Sequence, residues 1–330
     1  MNEIIKRHPF SRVLLFLSLS TLIGIVDFFP NDSLVQASED GLTQQFEWTY
    51  HKFLDHSIGG PYMYRFLVPL CIHWSSEIFQ VHPLHSTLGL NILFTFALFW
   101  GVYMYAKQVG NFRKAIESVF ITGIYLVATQ VQFFGVHVVE SQDLLNLVVF
   151  AFVLYLLKKE RWWSAGILIA LGILNRETPI FLLIPLGYFS WKAQKPTPAI
   201  VSIVFSIGMY AAIRIVMGGE TESDWMQFDK ISKNIPFLSR EDLWFSVKSN
   251  ALVLFYFMPL IALFLIGNKQ RDSFSRVIVF MCILFIVTHY FVGTILELRL
   301  FLPVVISIVP ILSRNLNFHA ENTPNLPAGK

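Results

Sequence analysis

The residues best placed to do chemistry in this chain are charged groups at the ends of long apolar runs. Glu140 and Asp143 open one run, and Arg176 and Glu177 stand between two others in Asn175-Arg176-Glu177-Thr178-Pro179. Arg214 lies one helical turn inside the end of a further run, and Glu297 with Arg299 opens the last. An ionised group at such a depth costs several kcal/mol unless it is paired or wet, so these residues are expected to line a polar cavity. Two chemistries fit them. Carboxylates and guanidinium groups of neighbouring turns can form structural ion pairs. Alternatively, Arg176, Arg214 and Arg299 can bind a phosphate, for which guanidinium supplies planar, bidentate donors.

Other residue types point to less. His51, His56, His73, His82 and His85 fall in one hydrophilic stretch, which leaves a metal site open, but no His-x-x-x-His pair with a carboxylate neighbour occurs to support one. His289, inside an apolar run, is expected to be a hydrogen-bonded helix contact. No phosphate-binding glycine loop, dinucleotide fingerprint or Ser-His-Asp signature occurs. Two cysteines, Cys71 and Cys282, make no disulfide framework.

The elements that must position these groups follow from composition. Of the 330 residues 55% are hydrophobic and 14% charged, against about 25% charged in an average soluble chain. That deficit describes an all-α polytopic membrane protein and excludes a soluble enzyme or a disordered chain. The net charge of +3 is spread over short loops, which leaves no basic face for nucleic acid. A hydrocarbon core of roughly 30 Å needs about 20 apolar helical residues. Ten candidate spans are expected, near residues 12–29, 86–106, 116–135, 141–157, 162–174, 178–191, 198–217, 249–267, 277–294 and 299–313. The fifth and sixth are short and could be one segment broken at residues 175–179.

Charge decides between these. With Lys6, Arg7 and Arg12 cytoplasmic and every span crossing once, the inner side collects 16 of the 25 basic residues and five of the 22 acids. Merging the fifth and sixth spans would move Lys192 and Lys195 outside and invert every later loop, so ten spans with both termini cytoplasmic are expected. Val35-Gln36-Ala37 has small residues suited to cleavage. It follows the first apolar run by about ten residues, so that run is expected to be a retained span. Residues 1–314 then form one helical domain and 315–330 a disordered cytoplasmic tail.

Two hydrophilic segments, 30–85 and 218–248, exceed connector length and both fall outside, so the working face is expected there. In the first, Pro61 to Leu70 followed by Ile72, Trp74, Ile78 and Phe79 reads as an amphipathic helix in the headgroup plane. Ahead of it stand Glu39, Asp40 and Glu47 among aromatic residues. Trp162-Trp163 after Lys158-Lys159 reads as an aromatic anchor at the inner interface.

Three segments resemble the GT-C class of integral-membrane glycosyltransferases, which take a sugar from a polyprenyl-phosphate carrier. They are the basic start with its long acidic first outer loop and Tyr64-Arg65-Phe66-Leu67-Val68-Pro69; the stretch from Lys158 through Trp162-Trp163 to Asn175-Arg176-Glu177-Thr178-Pro179; and Glu297-Leu298-Arg299-Leu300-Phe301-Leu302-Pro303. The likeness covers the layout of about the first 315 residues. It implies a transferase of the bacterial cell envelope that moves a sugar to a glycan, lipid or protein acceptor on the non-cytoplasmic face. In that class a first-loop carboxylate is the general base on the acceptor hydroxyl and the lipid phosphate leaves. Carried over here, Asp40 is the preferred base, with Glu39 and Glu47 behind it. Arg65, Arg176, Arg214 and Arg299 hold the phosphate, with Glu140, Asp143, Glu177 and Glu297 around them. The class usually places its acid closer to the first span, where Asp27 and Asp32 stand, so the identity of the base stays open. No cofactor is firmly implied, and a divalent metal has no support in the residue spacing. A transporter or flippase for a lipid phosphate or glycolipid, and a non-catalytic membrane scaffold, are the alternatives. The first should show an internal repeat, and none is found in the sequence.

Overall fold

Apolar runs of this length fold as helices, because a helix satisfies its backbone N–H and C=O groups internally. The structure, a computed structural model, describes residues 9–35, 67–130, 141–216, 243–266, 272–292 and 298–315. The described residues are all-α and contain no strand. The helices are α1 (Pro9–Val35), α2 (Leu67–Phe79), α3 (Pro83–Val109), α4 (Phe112–Gln130), α5 (Ser141–Lys158), α6 (Trp162–Ile173), α7 (Leu183–Lys192), α8 (Thr197–Val216), α9 (Leu243–Ile266), α10 (Ser273–Val292) and α11 (Leu302–Asn315). A 3₁₀ turn, Thr178–Leu182, leads into α7 and another, Leu298–Phe301, into α11.

Among the described residues each of the ten apolar runs overlaps one of these helices. Among the described residues three segments are long and apolar enough to cross a membrane: His85–Val109, Ser141–Lys158 and Ser273–Phe291. The 12 residues of α6 rise only about 18 Å, well short of a bilayer core. The chain reverses after α6. Lys158 at the end of α5 reaches Asp272 at 3.5 Å, and Lys192 at the end of α7 donates to Ser273 Oγ at 3.1 Å. The start of α6 and the end of α7 therefore share one end of the bundle, and residues 162–192 form a hairpin rather than one broken helix.

Helices α3, α5 and α11 make the centre, with α3 and α5 packed most extensively. Phe99, Tyr103, Tyr105, Phe150, Phe285 and Phe301 are fully buried there. Small residues allow the closest approaches. A Cβ on Gly166 of α6 would overlap Ser202 of α8, the small-residue contact on which helices pack in lipid. Outward faces are apolar, as with Val204, Phe205 and Ile215 on α8 and Phe255 and Met258 on α9, all more than half exposed. Such faces suit contact with lipid.

Helix limits differ most from the sequence expectation in two places. The last six residues of the second hydrophilic segment, 243–248, belong to α9. Ser246 and Ser249 are buried against the bundle and Asn250 accepts a hydrogen bond from Tyr290 at 3.0 Å, so polarity there marks a protein-facing side, not a loop. Likewise α1 extends to Val35, past the expected end at residue 29. Helix α2 carries Trp74, Ile78 and Phe79 exposed, while residues 61–66 of the expected amphipathic helix lie outside the described residues. The tail from 316 also lies outside them.

The end of the bundle that carries Lys158 is tied by Asp272, the N-cap of α10. Its Oδ1 accepts from Ser275 N at 3.0 Å and from Ser275 Oγ, and its Oδ2 lies 3.4 Å from Arg314 of α11. Partial burial would raise the Asp272 carboxyl, but the Ser275 hydrogen bonds and the charges of Lys158 and Arg314 hold it down at about 2. The folded value thus lies below the ordinary 3.8, so ionisation favours the folded state. That contribution is complete above a pH of about 4 and is lost as the pH falls toward about 2. Thermal midpoints recorded in detergent across this window should fall more steeply for the native chain than for Asp272→Asn, the two converging at the acid end. Parallel curves would mean that the carboxylate does not hold these helix ends together.

Candidate functional site

The charged residues of three separate segments meet at the opposite end of the bundle. Asp143 sits in the first turn of α5, where helix dipole and free N–H groups favour a negative charge. Arg176 lies just after α6, in a turn closed by Asn175 N and Arg176 N on the Gly172 carbonyl at 3.0 and 2.9 Å. Gly172 makes that turn possible: a Cβ there would stand 2.8 Å from Val149 Cγ1 on α5 and 3.0 Å from Pro179 Cγ. Any side chain would push α5, α6 and the Thr178–Leu182 turn apart. Arg299 is held by the 3₁₀ turn that opens the last helix.

Asp143 binds both guanidinium groups. Arg176 Nη1 contacts Oδ1, and Arg299 Nη1 lies 3.5 Å from Oδ2. All three side chains are at most 7% exposed. Ionised groups buried this far are costly unless paired, which is why residues from three turns converge on one carboxylate. A shell of amides and hydroxyls surrounds them. Asn175 Nδ2 donates to the Gln142 carbonyl at 2.7 Å, Thr178 Oγ1 to Asn146 Oδ1 at 3.0 Å, and Ser141 Oγ to Asn91 Oδ1 on α3 at 2.5 Å. Gln142 Oε1 and Asn175 Oδ1 are buried and accept no hydrogen bond among the described residues. His289 stacks on Phe285 with ring centres 4.1 Å apart and also meets Phe181 and Phe301. Its Nδ1 lies 2.8 Å from the Phe285 carbonyl, which can only accept, so Nδ1 carries the proton and the ring is the helix contact expected from its position.

Of the sequence-derived set, Asp143, Arg176 and Arg299 are brought together. Glu177, adjacent to Arg176, is partly exposed and stands at the N-cap of the 3₁₀ turn without capping it by its side chain. Arg214 lies near the end of α8, with its side chain outside the described set. Glu39, Asp40, Glu47, Arg65, Glu140 and Glu297 fall outside the described residues, as do the side chains of Asp27 and Asp32. Among the described residues no group of three or more His, Cys, Asp or Glu could hold a metal ion. His82 and His85 come within 6.2 Å, ring centre to ring centre, at the start of α3.

Sequence reasoning missed Gln142, Asn146 and Asn91. A signal was present, since Gln142 and Asn146 are four apart and so share a helix face, and amides inside an apolar run need partners. Chemically the arrangement offers two planar cations fixed by one carboxylate, with amide oxygens able to accept from hydroxyl groups. No family model, no curated protein and no solved structure matches the chain.

Proposed function

We propose that this protein is a multi-pass membrane glycosyltransferase of the bacterial cytoplasmic membrane, with ten spans and an outward-facing site. It moves a sugar from a polyprenyl-phosphate donor to a glycan, lipid or protein acceptor. The observation that carries the reading is the convergence of Arg176 and Arg299 on Asp143 in a buried polar cluster at one end of the bundle. Departure of a lipid phosphate from an anomeric carbon needs cations on the leaving group, and guanidinium groups preset by a carboxylate supply them without reorganising. The buried amide oxygens of Gln142 and Asn175 are suited to sugar hydroxyls. The acceptor hydroxyl must also lose its proton as the bond forms, and a first-loop carboxylate, Asp40 ahead of Glu39 and Glu47, takes that role. The resemblance to GT-C enzymes supports the same division of labour.

The test is direct. Purified protein in nanodiscs is given a panel of polyprenyl-phosphate sugars, and release of lipid phosphate is followed with and without mixed glycan acceptors. Acceptor-dependent release is expected, and Asp40→Asn should lower it by about 10²–10⁴-fold with donor binding retained. Full activity in Asp40→Asn, Glu39→Gln and Glu47→Gln alike would remove the base from this loop. Binding without turnover would favour a lipid-phosphate transporter, and no binding across the panel a scaffold.

A further inference from the structure

The opposite, lysine-rich end of the bundle has a different chemistry. Two short turns there have the same build. In the first, Lys158-Lys159-Glu160-Arg161, Glu160 takes φ 56° and Arg161 N donates to the Leu156 carbonyl at 2.9 Å; in the second, Gln194 takes φ 58° and Lys195 N donates to the Ser190 carbonyl at 2.8 Å. Both are helix-ending turns closed by a bond from the residue after a left-handed position, so their backbones are fixed, not loose. They lie side by side, because Lys158 and Lys192 both reach the start of α10, the one at Asp272 and the other at Ser273.

Within this frame the bases divide into two groups. Lys158 and Arg314 share Asp272, and Lys158 Nζ also lies 4.7 Å from the Phe274 ring centre, so these serve the helix clasp. Lys159, Arg161, Lys195 and Arg276 are exposed and form no ion pair among the described residues. Glu160 is the one acid in the sequence of the two turns. Beside them Trp163 at the start of α6 and Trp191 at the end of α7 are 51% and 70% exposed. Above the bases, the helix faces turn apolar, with Ile167 and Leu171 exposed along α6.

We infer that these two turns form a binding surface for the headgroups of anionic phospholipids in the leaflet on this side. The order along the bundle axis is the reason. Apolar helix face, then tryptophan, then exposed cations on a rigid backbone matches acyl chain, ester region and phosphate in turn. A soluble polyanion would have no use for the tryptophans or the apolar face. Each base near an anionic surface contributes about a fivefold gain in binding, and fixed turns hold the backbone of three of them, so that only side chains are left to order. The surface is independent of the Asp143 cluster and of what is catalysed there.

Native mass spectrometry of the full chain, released from detergent containing equal phosphatidylglycerol and phosphatidylcholine, reads this directly. Phosphatidylglycerol should be retained at least about tenfold over phosphatidylcholine, and Lys159→Ala/Arg161→Ala/Lys195→Ala should lose that preference. Phosphatidylglycerol should also raise the thermal midpoint of the native chain and not of the triple variant, and added salt should weaken the effect. If the triple variant fails to fold, Lys195→Gln alone should cut the preference a few-fold. Equal retention of the two lipids, or a preference unchanged in the variants, overturns the inference. So does displacement of the lipid by inorganic phosphate or glycerol phosphate, which would mark a free-anion site.

Discussion

Asp143→Ala lowers stability by about 3–5 kcal/mol, the cost expected when one partner of a buried ion pair is removed and its counter-charges stay behind. Two guanidinium groups, Arg176 and Arg299, lose the carboxylate they share in a region at most 7% exposed. Typical domains are stable by only about 5–15 kcal/mol, so the variant should unfold about 6–20 °C below the native chain or fail to accumulate. Asp143→Asn keeps the shape and one acceptor and should lose about half as much. Replacing all three charges, as in Asp143→Leu/Arg176→Met/Arg299→Met, should recover most of the stability, because apolar groups of similar volume need no partners. Thermal unfolding in detergent, followed by tryptophan emission, checks the series. An Asp143→Ala midpoint within a degree or two of native would show that the carboxylate does not hold the arginines.

The second large effect is on donor recognition. Arg176→Ala and Arg299→Ala should each weaken polyprenyl-phosphate-sugar binding by about ten- to hundredfold, the worth of a hydrogen bond to a charged group. Arg299→Lys should fall between, since it keeps the charge and loses the planar fork. Measurements belong well below each variant's melting point, so that loss of fold is not read as loss of affinity. The apolar triple replacement separates the two roles: a structural cluster predicts a stable protein with donor binding intact, and a phosphate site predicts a stable protein that binds no donor. Unchanged affinity in both alanine variants would leave Arg176 and Arg299 as helix ties.

Much of this architecture was legible before the fold. Apolar runs, each bounded by charge, Gly or Pro, marked the helices because an apolar chain away from water satisfies its backbone polar groups as a helix. In space Lys158, Lys192 and Arg314 gather at one end of the bundle and Asp143, Arg176 and Arg299 at the other. Alternating helix directions bring this about once each run ends near its charged residue.

What stayed hidden is what depends on neighbours. Residues 243–248 at the start of α9 were read as the end of a loop because Ser246 and Lys248 interrupt the apolar run, and polarity in a sequence does not distinguish water from a protein face such as the one that buries Ser246. Gln142 and Asn146 escaped for the same reason, since the groups they meet, Asn175 on the Gln142 carbonyl and Thr178 on the Asn146 side chain, come from the turn of the next hairpin. Composition and periodicity along the chain determined that the protein is helical, apolar on its outside and divided into a basic and a mixed-charge end. Only the tertiary structure decided that Asp143, rather than any other acid, receives Arg176 and Arg299, because that choice rests on how α5, α6 and the Thr178–Leu182 turn pack around Gly172 and on where the turn before α11 sets Arg299, and packing is a property of pairs of helices that no single run encodes.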